Sequence, residues 1–246
     1  MSFAIQKLDI LAFGAHPDDI ELSCAGTLMA AIAQGKKVGV VDLTKGELGT
    51  RGTPELRLEE ATKAAAIIGL NIRINLGFAD GFFAHDATHQ LGIIQVIRAY
   101  QPDIVLANAI DDRHPDHAKG AKLVADACFL SGLRKITTTD INGQAQPAWR
   151  PQAVYHYIQD KLMVPHFVVD ISAFINQKMA AITAYASQFY NPNPNDPEPA
   201  TYISDKNFLE RVKNRNADFG KPCGFDFAEG FIANRYVGVT DLFALI

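Results

Sequence analysis

Leu8-Asp-Ile-Leu-Ala-Phe-Gly-Ala-His-Pro-Asp-Asp-Ile-Glu-Leu22 passes from one kind of periodicity to another within fifteen residues, and the fold class follows from that passage. Its first part, Leu8 to Gly14, is a short and mostly apolar run of strand length. From about Asp19 to Gln34 the apolar residues Leu22, Ala25, Met29, Ile32 and Ala33 recur at helical spacing, and Gly35 is a natural stop. A buried strand running straight into a helix is the opening unit of a parallel sheet with crossover helices.

Outward from that unit the alternation repeats. Lys37 to Leu43 reads as a strand, and Thr53 and Pro54 cap and open a helix to about Ile68. Ile72 to Leu76 and Ile104 to Ala109 read as strands, with helices near Leu91 to Tyr100 and from about Pro115 to Leu130. A polar, turn-rich connection, Ser131 to Pro151, precedes strands at Val154 to Gln159 and Phe167 to Ile171 and a helix from about Ala173 to Ser187. The expected fold is α/β, a Rossmann-like and mostly parallel sheet with helices on both faces, as one domain over residues 1–246. Asn191 to Pro199 carries four prolines and is read as an excursion or lid, since the residues after it are few for a second core.

Composition excludes several classes. The 246 residues are 48% hydrophobic and 20% charged, which describes a globular chain. With 27 acidic against 23 basic residues and no long Lys/Arg run, no nucleic-acid partner is expected. No window approaches the length of an apolar membrane span, and Met1 to Asp9 lacks a signal-like stretch, so the expectation is a soluble cytoplasmic protein without a membrane partner. Cys24, Cys128 and Cys223 are far apart and form neither a disulfide framework nor a thiolate metal cage.

The chemistry is concentrated in two clusters, each at a strand-to-helix turn. His16-Pro-Asp-Asp19 follows the first strand, where Asp18 with Glu21 also resembles a helix-capping pair. Arg113-His-Pro-Asp-His117 follows the fourth, where histidines gain nothing from a helix N-terminus. If the two strands are neighbours across the reversal of strand order, both clusters face one crevice at the carboxyl edge of the sheet. His16, Asp19 and His117 then make an N/N/O set suited to zinc, with other divalent first-row ions acceptable. Asp18 is left as general base, His114 as proton carrier or oxyanion partner, and Asp116 as the group that orients His114 and favours its charged form.

Gly14-Ala-His-Pro-Asp-Asp19 with Arg113-His-Pro-Asp-His117 resembles the PIG-L/LmbE-like zinc N-deacetylases. The resemblance extends over Thr44 to Gly52, Ala79-Asp-Gly81, Trp149-Arg-Pro151 and Phe227 to Phe231, and within the family it is closest in form to the bacillithiol-biosynthesis branch. It implies the same metal ligands, base and oxyanion-side histidine. It also implies an N-acetylglucosaminyl malate substrate, a small-molecule sugar conjugate, and a homo-oligomer. Many members carry Glu directly after the paired aspartates, whereas here Ile20 intervenes before Glu21. Another acetylated sugar, such as a chitooligosaccharide or an antibiotic intermediate, is the alternative substrate, and a non-catalytic sugar-binding module is the alternative outside the enzymes. Arg51 is either a solvated loop residue or a fork for the malate carboxylate, and the resemblance favours the fork. Arg113 is the second candidate for substrate binding, or supports Asp116 or Asp112.

Other signals are weaker. Gly46 to Thr53 lacks the phosphate-loop pattern, His85 and His89 lack the glutamate of H-E-x-x-H, and His156 reads as a core or edge residue. The apolar C-terminus, Val237 to Ile246, is expected to pack on the core or on another subunit.

Overall fold

The computed structural model describes residues 7–140, 142–190 and 198–245. The expected lid therefore lies outside the described residues except for Glu198 and Pro199. Seven strands, β1 (Ile10–Gly14), β2 (Val38–Thr44), β3 (Ile72–Phe78), β4 (Ile104–Ala107), β5 (Ala153–Tyr157), β6 (Phe167–Asp170) and β7 (Ala228–Ala233), form one sheet in the order β3-β2-β1-β4-β5-β7-β6. The central strand β1 pairs in parallel with β2 on one side and β4 on the other. The strand order therefore reverses between β1 and β4, and the two sequence clusters lie beside each other at the carboxyl edge.

Along β1 the pleat sends Leu11 and Phe13 into one core, with Leu43, Ile93, Ile97 and Val124, and Ile10 and Ala12 into the other, with Leu28, Val40 and Leu106. Both faces are thus covered, which is why β1 and β2 read as continuous apolar runs. The helices α1 (Asp19–Ser23), α2 (Ala25–Ala33), α3 (Pro54–Ile68), α4 (Ala87–Tyr100), α5 (Pro115–Leu130), α6 (Ile175–Thr183) and α7 (Phe208–Gly220) supply the covering. Thr53 caps α3 by accepting from the Leu56 N–H at 3.2 Å, and α5 begins at Pro115, as their sequences require.

The structure departs from the sequence reading in four places. The helix expected over Asp19 to Gln34 is two helices interrupted at Cys24. The cause is distant in sequence: the buried Glu229 of β7 accepts from the Gly26 and Thr27 N–H groups at 3.0 and 2.7 Å, giving α2 its own N-terminus. Gly26 also lies against Ile171, whose side-chain atoms would stand 2.8 Å from an added Cβ. Second, α7 and β7 have no counterpart in the expected elements, and β7 inserts antiparallel between β5 and β6 in an otherwise parallel sheet. Third, the helix expected over Ala173 to Ser187 is confined to Ile175–Thr183, with a short 3-10 turn before it. Fourth, of the two alternatives for the C-terminal stretch, packing on the core is excluded for Leu242 and Phe243, which are exposed.

The Ser131 to Pro151 connection is irregular, as expected, but it is stapled to α4 by a buried Arg98. That guanidinium donates to the carbonyls of Ser131, Leu133 and Ile136 and to Thr138 Oγ1. A second buried charge, Lys178, meets Glu229 at 2.5 Å and donates to the Leu22 carbonyl at 3.1 Å. Glu229→Ala leaves that lysine unpaired and two helix N–H groups orphaned, and is expected to cost about 3–5 kcal/mol in urea unfolding. Lys178→Met in the same chain should recover part of the loss by removing the stranded charge.

Candidate active site

The loop after β1 carries His16 and Asp18, with Asp19 opening α1, and the loop after β4 carries Asp112, Arg113 and His114, with His117 in the first turn of α5. The adjacency of β1 and β4 brings three imidazoles together. The ring centroid of His16 lies 4.5 Å from that of His114 and 5.6 Å from that of His117, and the last two are 5.2 Å apart. One nitrogen from each ring falls within 4.8 Å of the others, and so do ligand atoms of a second group, His16, Asp80 and Asp116.

Asp19 lies between His16 and His117. Its Oδ1 is 3.1 Å from His117 Nε2 and its Oδ2 is 3.7 Å from His16 Nδ1. The opposite nitrogens of the two rings are held by other carboxylates: His16 Nε2 by Asp80 at 3.0 Å, and His117 Nδ1 by Asp112 at 2.5 Å. Carboxylates behind two histidines that turn their remaining nitrogens toward a common point are the arrangement that orients imidazole for a metal. Burial opposes charge on both rings, but the surrounding carboxylates outweigh it. They raise His16 well above the ordinary range and His117 to about 9. Asp19 is also buried, yet the His117 and His16 charges hold its carboxyl well below the usual range. Asn108 and Gln159 donate to it as well, at 3.0 and 2.7 Å.

Asp18 has the opposite environment. It stands at the N-cap position of α1 but its side chain makes no capping hydrogen bond, which excludes the capping-pair alternative, and its φ of 107° is a left-handed conformation uncommon for a residue other than glycine. Glu21, the other half of that alternative, instead accepts from Arg73 at 2.6 Å. Burial pushes the Asp18 carboxyl up to about 6, although Arg57 beside it acts to lower it. Arg57 Nη2 donates to Asp18 Oδ2 at 2.6 Å, while Asp18 Oδ1 has no hydrogen bond among the described residues. The Gly46 to Thr53 loop makes this possible: Gly46 has φ 67°, and a Cβ there would stand 2.5 Å from Arg57 Nη1. Sequence reasoning missed Arg57: it lies on a helix with several exposed charges, and nothing in its spacing sets it and the buried Glu60 apart from them.

Three expectations about the surrounding residues are corrected. Asp116 does not orient the His114 ring through its carboxylate, which is taken by Lys119 at 2.7 Å, the Gly81 N–H at 2.8 Å and His16 at 3.4 Å. The backbone N–H of Asp116 instead donates to His114 Nδ1 at 3.3 Å, leaving the ring proton of neutral His114 on Nε2. Burial, with His16 and His117 nearby, holds His114 below the ordinary histidine range, so it is not kept charged. Arg51 is neither solvated nor a free fork, since it is buried and donates to the carbonyls of Ser187, Glu198 and Pro199. Arg113 pairs with Asp160 at 3.3 Å and lies over the Tyr202 ring at 4.4 Å; Asp112 and Asp116 are not its partners. Outside the cleft, His85 pairs with Asp126, His89 with Asp86, and His156 with the Asn108 carbonyl.

His16, Asp18, Asp19, Arg57, His114 and His117 line an open cavity of about 300 Å³ whose walls also include Leu48, Thr50, Gln188 and Thr201. The GlcNAc-PI de-N-acetylase family, PIG-L, matches this chain over residues 11–128, the segment that carries both clusters. A diacetylchitobiose deacetylase of Thermococcus kodakarensis is 31% identical over 231 residues, covering 90% of this chain and 81% of its own length. The chain belongs to the PIG-L de-N-acetylase family. Conserved protein TT1542 of Thermus thermophilus, a solved structure, shares 37% identity with a TM-score of 0.83, over 96% of this chain and 98% of that one. A probable N-acetyl-alpha-D-glucosaminyl L-malate deacetylase 2 of Bacillus anthracis is more distant, 24% identical over 73% of this chain and 81% of its own. No helix among the described residues of this PIG-L chain is long and apolar enough to cross a membrane.

Arg51→Ala is expected to lower stability by about 1–3 kcal/mol, the cost of stranding buried carbonyls, and to weaken turnover equally on carboxylated and uncharged sugars. A loss confined to the carboxylated substrate would restore the fork.

Proposed function

We propose that this PIG-L chain removes the N-acetyl group from an N-acetylglucosamine-containing sugar. A short chitooligosaccharide such as diacetylchitobiose is the substrate best supported. The observation that carries the reading is the contrast at adjacent residues: Asp19 is held ionised between two histidines, while Asp18, beside it in the cleft, sits near 6 with one oxygen open. A site that only held a ligand or an ion would need the first and not the second.

The donor set fits a divalent metal. His16 Nδ1, Asp19 and His117 Nε2 would hold it, and their N/N/O chemistry suits zinc. The alternative group, His16 with Asp80 and Asp116, offers one nitrogen and two oxygens, a harder donor set that suits zinc less well than the N/N/O set. When bound, such an ion supplies Lewis acidity and acidifies water. The protein's own part follows from the geometry. Asp18 Oδ1 accepts a proton from the attacking water while Arg57 fixes its other oxygen. His114, neutral with its proton on Nε2, donates to the carbonyl oxygen as negative charge develops there. Water adds to the acetamide carbon, the C–N bond breaks, and Asp18 returns the proton to the departing amine.

The malate conjugate is the weaker reading. It came from the motif resemblance, and the one residue put forward to grip the malate carboxylate, Arg51, has its guanidinium on backbone carbonyls. Its named relative is also the more distant one.

Primary-amine release from diacetylchitobiose, N-acetylglucosamine and N-acetylglucosaminyl malate, by zinc-loaded and chelator-stripped protein, tests the proposal. Zinc-dependent release with preference for diacetylchitobiose is expected, and preference for the malate conjugate would reverse the order of the two substrates. Asp18→Asn should retain zinc in metal analysis and lower kcat by about 10²–10⁴; near wild-type turnover would remove Asp18 as the base.

A further inference from the structure

Against the histidines lies a second, much smaller cavity of about 30 Å³. The two share His114, His117, Gln159 and Tyr202 as a common wall, and the small one adds Phe208, Val212 and Arg215 from α7. An amide substrate of this enzyme has two unequal parts that meet at the scissile carbonyl, a pyranose and a methyl group. A pyranose fits the large compartment and is excluded from the small one, whose volume is about that of two waters.

We propose that the small cavity is the acyl subsite, which receives the methyl group of the acetamide and then the acetate, and that Val212 sets the chain length it admits. The proposal rests on the deacetylase reading above. The walls suit the two ends of that ligand. Leu22, Ile203, Phe208 and Val212 face the methyl side, and Phe208 and Val212 are buried and fixed by the core beneath α7. Arg215 supplies a cation for the carboxylate that hydrolysis creates: its Nη2 donates to the Leu22 carbonyl at 2.9 Å, and its Nε has no partner. Asp112 and Asp160 also line the cavity, but they do not present free charge to an anion. Asp112 accepts from His117 and from the Asp160 and Lys161 N–H groups, and Asp160 accepts from the Tyr202 hydroxyl and pairs with Arg113.

The test is the acyl-length profile of kcat/KM on N-formyl, N-acetyl, N-propionyl and N-butyryl glucosamine, measured with zinc-loaded protein. Wild type is expected to lose about 10–200-fold between acetyl and propionyl, the scale of one surplus methylene against a fixed apolar wall such as Phe208 and Val212. Val212→Ala should raise the propionyl-to-acetyl ratio about tenfold or more, and Val212→Ile should lower the acetyl-to-formyl ratio, each checked for folding by its thermal melt. Acetyl turnover by wild type with no dependence on acyl length overturns the acyl subsite alone, as does an unchanged ratio in folded Val212→Ala. Absence of amine release from every member of the series and from diacetylchitobiose overturns the deacetylase reading and this proposal with it; release from diacetylchitobiose alone overturns the acyl subsite only if its N-propionyl analogue is cleaved equally well. A flat wild-type profile overturns the subsite even where Val212→Ala fails to fold, and Val212→Ile then carries the test of that residue.

Discussion

The centre of the structure is a buried negative charge on Asp19. A carboxylate removed from water is tolerable only when its lone pairs are filled, and here every donor comes from a different part of the chain. The His16 N–H comes from the loop after β1, Asn108 from the end of β4, Gln159 from beyond β5, and His117 from α5. Satisfying that single charge therefore holds the carboxyl ends of three strands and a helix in one arrangement. The same arrangement aims two imidazoles at the carboxylate from opposite sides.

Two neighbouring aspartates are driven apart by their surroundings, which is how one cleft can both hold a cation and accept a proton at neutral pH. Asp19 is surrounded by donors and stays ionised. Asp18 points to a single arginine in an otherwise desolvating wall, and its carboxyl rises toward neutrality. The unusual backbone of Asp18 is the local cost of turning adjacent side chains to such different surroundings.

Behind the cleft lies a layer of buried ion pairs that links it to the rest of the fold. Arg73 joins Glu21 of α1 to Asp42 of β2, and the Lys178–Glu229 pair joins α6 to β7 while Glu229 accepts from the N–H groups that start α2. Pairs of this kind add little net stability, but losing one partner is costly, so they fix which segments meet. They hold the short α1, and with it Asp18 and Asp19, at a defined height above β1.

Much of the fold and of the cleft was legible locally. Leu8 to Gly14, the Thr53-Pro54 helix start and the Pro115 helix start are local signals of periodicity and capping, and the structure follows them. The doubly wound order brought His16, Asp18, Asp19, His114 and His117 to one edge because adjacent parallel strands must present their carboxyl ends together. Asp80, Asp112, Arg57 and Glu229 were not legible as partners of those residues, nor was the commitment of Arg51 to a distant loop. Their roles depend on which side chains meet across long stretches of chain, and no periodicity records that. The alternating elements and the chemical types gathered at the sheet edge are written in the chain itself, because both follow from local propensity and strand order. Which carboxylate is charged, which arginine is occupied and how the cleft divides came only with packing, because desolvation and hydrogen-bond partners do not exist before the chain has folded.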